Sequence, residues 1–114
     1  MSECLFCKIV AGEIPCTKVF ENESVLAFED IHPSAKTHWL FIHKNHSKNA
    51  LEMPASQIAE VYLAIQTHVN DGPLSQSGIR VVTNCGPDSG QVVFHTHFHV
   101  IGGEQLGGFG RRSR

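Results

Sequence analysis

The stretch QVVFHTHFHVI, residues 91–101, decides how the chain is read. It reads as the last of five strands. Side chains alternate along a strand, so His95, His97 and His99 point one way, and Phe94, Thr96, Phe98 and Val100 the other. The second set is mostly apolar and is expected to pack on the core. The three imidazoles are then displayed on an accessible or cleft-lining face. They can be metal ligands, a phosphate site or a solvated surface. A solvated face would ordinarily carry Lys, Glu, Thr or Gln, and nothing about solvation selects imidazole three times.

Working outward, GIRVVTN (residues 78–84) reads as the fourth strand and THWLFIH (37–43) as the third. KVFEN and SVLAFED read as the first two, turning at ENES. In the second of these, Leu26, Phe28 and Asp30 share a face. Between strands three and four, Ile58, Val61, Tyr62, Ile65 and Val69 form one stripe of a 3.6-residue period. They predict a helix from Pro54 to about Asn70, stopped by Asp71-Gly72-Pro73. CLFCKIVAGEI predicts a short helix before Pro15. Strands on both sides of one long helix argue for an α+β domain with a mostly antiparallel sheet.

The chain has 114 residues, 41% hydrophobic and 18% charged. This fits one globular domain over residues 1–114, with residues from about 106 on as a basic tail ending in RRSR. A net charge of −2 argues against a nucleic-acid partner. No apolar run approaches the roughly 18 residues of a membrane span, and MSECLFCKIV lacks the features of a signal peptide. A cytoplasmic home follows, where Cys4, Cys7, Cys16 and Cys85 stay reduced. Of the eight histidines, His38, His43, His46 and the triplet fall in two short stretches.

The loop NCGPDSGQVV, residues 84–93, favours phosphate over metal. Gly86 and Gly90 let backbone N–H groups approach an anion, and Asn84 offers an amide donor. Alone, the loop is an ordinary Gly-Pro-Asp turn; beside the triplet it gains weight. Cys4 and Cys7, in CLFC, have three readings: half a zinc site, a redox pair or chance. A thioredoxin-like context is missing, so the redox reading is the weakest.

GQVVFHTHFHVIGG resembles the signature of the histidine triad (HIT) family. LFCKIVAGEIP is similar to its N-terminal helix, FEDIHPSAKTHWLFIHKNH to its Asp-Ile-x-Pro-x-x-x-x-His block, and RVVTNCGPDSGQ to the strand and loop before the triad. These four blocks stand in the family's order over most of residues 4–105, nearest the Hint-like nucleotide hydrolases. The resemblance implies a five-stranded antiparallel sheet with one long and one short helix per subunit. It also implies a homodimer whose sheets continue across the interface. The implied chemistry is hydrolysis or transfer of a nucleoside monophosphate group, as from an adenosine phosphoramidate. His97 is then the nucleophile that forms a covalent nucleotidyl-histidine, with His99 and His38 binding phosphate oxygens. Asn84 and the loop Gly90, Gln91 and Val92 match the phosphate site. Asp30 matches the carboxylate that reads the ribose, and Phe6, Ile9, Phe28 and Ile31 match the apolar walls around the base. For Phe6, Ile9 and Ile31, plain core packing is an equal alternative. In relatives with the cysteine pair a structural zinc is completed by two histidines, here His46 and His95, giving Cys4, Cys7, His46 and His95.

Three features depart from the pattern. Val92 stands where the phosphoramidase branch often has serine, the tail lacks a tryptophan, and His43 replaces a common proline and is expected on the surface. Rival readings are a dinucleoside polyphosphate hydrolase, a nucleotide-binding regulator with little catalysis, and a zinc hydrolase using the triplet as its metal centre.

Overall fold

The computed structural model describes residues 4–108; the RRSR tail lies outside them. Helix α1 (Leu5–Val10) precedes strands β1 (Lys18–Glu21), β2 (Val25–Glu29) and β3 (Thr37–His43). Helix α2 (Ala55–Asn70), the one-turn α3 (Leu74–Ser77), β4 (Ile79–Val82), a 3-10 turn at Pro87–Ser89 and β5 (His97–Gly102) follow. The strands form one antiparallel sheet in the order β1-β2-β3-β5-β4. The α+β architecture and the strand count agree with the sequence reading; the one-turn α3 is additional. Among the described residues, no helix is long and apolar enough to cross a membrane.

Alternation sorts the sheet into two faces. Val25, Ala27, Phe41, Phe98 and Val100 pack on one side against Val61, Ala64, Ile65 and Val69 of α2. Leu26, Phe28, Leu40 and Ile42 pack on the other against Phe6 of α1. Each face is apolar because each is covered by a helix. The α2 stripe is shifted slightly from its expected centre: Ala64 is buried, while Tyr62 is exposed. The small Ala64 side chain fits against the sheet and the bulkier Tyr62 is turned outward.

The last strand is shorter than expected. Residues 91–96 do not join the ladder, which begins at the pair Ile42–His97. Their polar groups are used elsewhere. The Gly86 N–H donates to Gln91 Oε1 at 2.8 Å, while Gln91 Nε2–H donates to the carbonyls of Lys48 and Val93 at 2.9 and 3.0 Å. Thr96 N–H donates to the Ser47 carbonyl at 2.8 Å. Period-two alternation therefore fails before His97. Phe94 is 44% exposed instead of lying in the core, and His95 is 1% exposed instead of facing a cleft. β4 likewise ends at Val82, with Thr83 and Asn84 beyond it. Gly90, at φ 93°, closes the 3-10 turn in the left-handed region that suits glycine.

Gln91 is buried with its whole amide engaged, so Gln91→Leu leaves one N–H and two carbonyls without that partner. It should cost about 2–4 kcal/mol in a denaturant titration. A midpoint equal to the parent's would show that the loop satisfies those groups another way.

Candidate active site and cysteine–histidine cluster

On the α1 side of the sheet a cleft of about 370 Å³ opens between α1, the end of β2 and the start of β5. Phe6, Ile9, Phe28, Asp30, Ile31, Val92, His97 and His99 all line it. Phe6 meets Phe28 edge-on at 5.5 Å and His97 at 5.1 Å, so it serves both core and cleft. Ile31, 86% exposed, belongs to the rim and not to the core. Asn84, Gly90 and Gln91 are not among the lining residues. With the Gln91 side chain held inside its loop, any contact from Gly90 or Gln91 to a ligand has to come from backbone.

Hydrogen bonding assigns the tautomers. His97 Nδ1 lies 2.8 Å from the carbonyl of His95. A carbonyl only accepts, so Nδ1 carries the hydrogen and Nε2 keeps its lone pair. No buried side-chain nitrogen or oxygen lacks a partner. Nε2 of His97 has none among the described residues and is therefore open to solvent. The Thr83 hydroxyl donates to the His97 carbonyl at 2.8 Å, fixing the strand there. His38 is reversed. The Ser34 N–H donates to His38 Nδ1 at 2.9 Å, so the His38 hydrogen sits on Nε2 and donates to His99 Nδ1 at 2.8 Å. Asp30 Oδ2 lies farther from that nitrogen, at 3.4 Å. His99 then carries its own hydrogen on Nε2, as a neutral donor.

Burial holds His97 and His99 in these neutral forms. Desolvation, then the neighbouring His97 and His38, lowers the His99 pKa to about 4. Desolvation lowers that of His97 as well. An unfolded histidine titrates near pH 6.5, so above that pH His99 is neutral in both states. As pH falls from about 6.5 toward 4 the unfolded chain takes up the proton and the folded one does not. Stability is therefore lost across that window. His99→Asn should flatten the decline in thermal stability between pH 6.5 and 4; an unchanged slope would assign it to other groups.

Asp30, His38 and His99 bring three potential ligand atoms within 4.8 Å of one another, and Cys4, Cys7, His46 and His95 bring four. Only the second group suits a cation. Metal at His38 Nε2 would require a hydrogen on Nδ1, which already faces the Ser34 N–H donor. This counts against a metal centre at Asp30, His38 and His99. His95 is the opposite case: Nε2–H donates to the His43 carbonyl at 3.0 Å, leaving a lone pair on Nδ1. That atom lies 3.4 Å from Cys4 Sγ, 3.5 Å from Cys7 Sγ and 3.2 Å from His46 Nδ1, and His46 Nδ1 is 3.4 Å from Cys7 Sγ. Tetrahedral zinc, with bonds of ~2.3 Å to sulfur and ~2.0 Å to nitrogen, has sulfur–nitrogen edges of ~3.5 Å and nitrogen–nitrogen edges of ~3.3 Å. The four side chains match those edges and could bind a metal. Burial, with the adjacent Cys4 sulfur, raises the Cys7 pKa; a bound cation would reverse that.

Sequence reasoning missed three contributors. His43 is buried, not on the surface. Its Nε2–H donates to Glu60 Oε1 at 2.7 Å, and its Nδ1 accepts from the Asn45 N–H at 3.0 Å. Ser34 acts through backbone, so no side-chain pattern marks it. Cys16 lines the cleft, a place that nothing in its sequence neighbourhood marks.

Residues 11–106 match the family model described as the HIT domain. An uncharacterized 13.2 kDa HIT-like protein from Azospirillum brasilense is 39% identical over 107 residues, covering 90% of this chain and 88% of that protein. A histidine triad protein from Clostridium difficile superposes with a TM-score of 0.90 at 38% identity, over 96% of this chain and 97% of that one. A HIT family hydrolase from Legionella pneumophila gives 0.87 at 40% identity, over 91% and 96%. Fold, site order and sequence agree: this chain belongs to the HIT family.

Proposed function

We propose that the protein is a Hint-like nucleotidyl hydrolase or transferase acting on nucleoside 5′-phosphoramidates or related conjugates. One observation carries this: the His97 ring, its Nδ1–H tied to a carbonyl, offers a free Nε2 lone pair in a cleft that also holds a carboxylate and a neutral donor. Nε2 attacks the α-phosphorus, the phosphorus–nitrogen bond to the amine breaks, and the amine leaves with a proton taken from solvent. Water then cleaves the bond to Nε2, releasing the mononucleotide. His99 Nε2–H, aligned through Ser34 and His38, donates to a phosphate oxygen; Asn84 and the Val92 backbone N–H add donors, while Gly90 and Gln91, whose N–H groups donate to the Pro87 and Gly86 carbonyls at 3.0 and 3.3 Å, shape the loop beneath. Asp30 accepts from the ribose hydroxyls. Phe6, Ile9, Phe28 and Ile31 enclose the base.

Cys4, Cys7, His46 and His95 would hold a structural zinc that ties α1 to the segment leading into β5. A reducing cytoplasm suits this reading, since both thiols stay available to the metal. The whole chain is read as one HIT domain working as a homodimer, and among the described residues β4 (Ile79–Val82) is an edge strand of the sheet.

Incubation with an adenosine 5′-phosphoramidate and, separately, a dinucleoside polyphosphate tests the reading. AMP and free amine should form faster than the dinucleotide is split. The reverse order would make it a dinucleoside polyphosphate hydrolase, and binding of AMP without turnover of either would make it a nucleotide-binding regulator.

A further inference from the structure

The nucleotide-sized cleft does not end at His97. Leu5, Val92 and Val93 line it and also line a second, adjoining groove of about 630 Å³, completed by Phe94 and by the edge of the cysteine–histidine cluster. Seven large apolar side chains are exposed among the described residues, and four of them, Leu5, Ile31, Val92 and Phe94, border these two hollows. Scattered exposed apolar residues need no explanation, but a gathered set beside a binding cleft marks a surface that a ligand covers. Val92, 82% exposed, is part of the shared wall and has no group that donates or accepts.

We infer that the second groove is the leaving-group subsite, and that it selects nucleotide conjugates whose phosphorus-bound amine carries a bulky apolar or aromatic group. This rests on the nucleotidyl-transfer reading and extends it to a substrate class. With the base against the wall of Phe6, Ile9 and Phe28 and the phosphorus at His97, the shared wall leads the rest of the substrate past Val92 onto Leu5, Val93 and Phe94. The phosphorus–nitrogen bond breaks as Nε2 of His97 bonds to phosphorus, and the amine departs through the groove, protonated by solvent. A small polar amine gains nothing from walls of this composition, whereas a phenyl-sized group buries apolar surface there.

The test compares two adenosine 5′-phosphoramidates, one of phenethylamine and one of ethanolamine, the latter a polar amine of comparable basicity. Turnover is followed in the wild type and equilibrium binding in His97→Gln. The phenethyl compound should have a kcat/KM about tenfold or more higher, and bind more tightly in proportion. Phe94→Ser and Val92→Ser, made separately, should each bring the ratio between the two substrates toward one. Leu51→Ser, an exposed site away from both hollows, should keep it. Equal turnover and equal binding of the two amides would overturn the subsite while leaving the hydrolase reading intact. Tighter phenethyl binding that Phe94→Ser abolishes, with no AMP released, would keep the subsite and remove the hydrolase reading. No preference in either measurement and no turnover would remove both.

Discussion

His97→Ala should lower AMP release from an adenosine 5′-phosphoramidate by at least about 10³-fold, the scale on which removing an enzymic nucleophile acts. The expectation rests on the atom that is free. Nδ1–H is fixed on the His95 carbonyl, so the lone pair can only be on Nε2, and desolvation holds the ring below its ordinary pKa. No other imidazole of the group can take over. The His99 Nδ1 lone pair accepts from His38, and the His38 Nδ1 lone pair accepts from the Ser34 backbone. Neither ring can attack: His99 presents only its Nε2–H, which can stabilise charge, and His38 spends its N–H on His99. His97 is also buried against Phe6, so the alanine leaves a gap and costs some stability. His97→Gln fills most of that space and should be equally inactive. AMP binding measured on both variants separates loss of chemistry from loss of the cleft. Substantial turnover in a folded, AMP-binding His97→Gln would place the nucleophile elsewhere.

Much of this fold was legible because two periods dominate it. β3 lies where its residue types put it, and the α2 stripe gave that helix to within a residue. The faces of β2 and β5 also followed from alternation, which paired Phe28 with Asp30 and His97 with His99; that the two pairs meet was implied by the resemblance, and all four line one cleft. Alternation failed where side chains satisfy backbone groups. Gln91 and Thr96 draw residues 91–96 toward residues 47–48, and no local pattern announces a bond to a segment forty residues away. His43 was misjudged for the same reason, since its partner Glu60 lies a turn into α2. The grouping of His46 and His95 with Cys4 and Cys7 came from resemblance alone; spacing said only that a C-x-x-C pair was present. The tautomers that distinguish the two histidine groups depend on backbone partners, Ser34 and the carbonyls of His43 and His95. They became readable only in three dimensions.

Removing metal from the zinc-loaded protein should lower its midpoint of thermal unfolding by about 10–20 °C, corresponding to roughly 3–5 kcal/mol of lost linkage stability. The domain should still fold, unlike a zinc finger, because the buried members of the apolar cores on both faces of its sheet include no ligand residue, Cys4 only packing at the margin of one. The loss should be concentrated where α1 meets the segment before β5. Cys4 and Cys7 flank or begin that helix, and His95 sits two residues before His97. The His95 carbonyl is also the group that holds the His97 Nδ1–H. Chelation should therefore reduce turnover, and zinc should restore it, with the metal acting through position and not at phosphorus. Cys7→Ser should reproduce the lower midpoint without chelator and bind less than half an equivalent of zinc per chain. His99→Asn should keep full stoichiometry, because His99 belongs to the hydrogen-bonded group and not to the cluster. A chelated protein that melts where the zinc-loaded one does, or zinc lost on mutating His99 and kept on mutating Cys7, would reverse the assignment of the two groups.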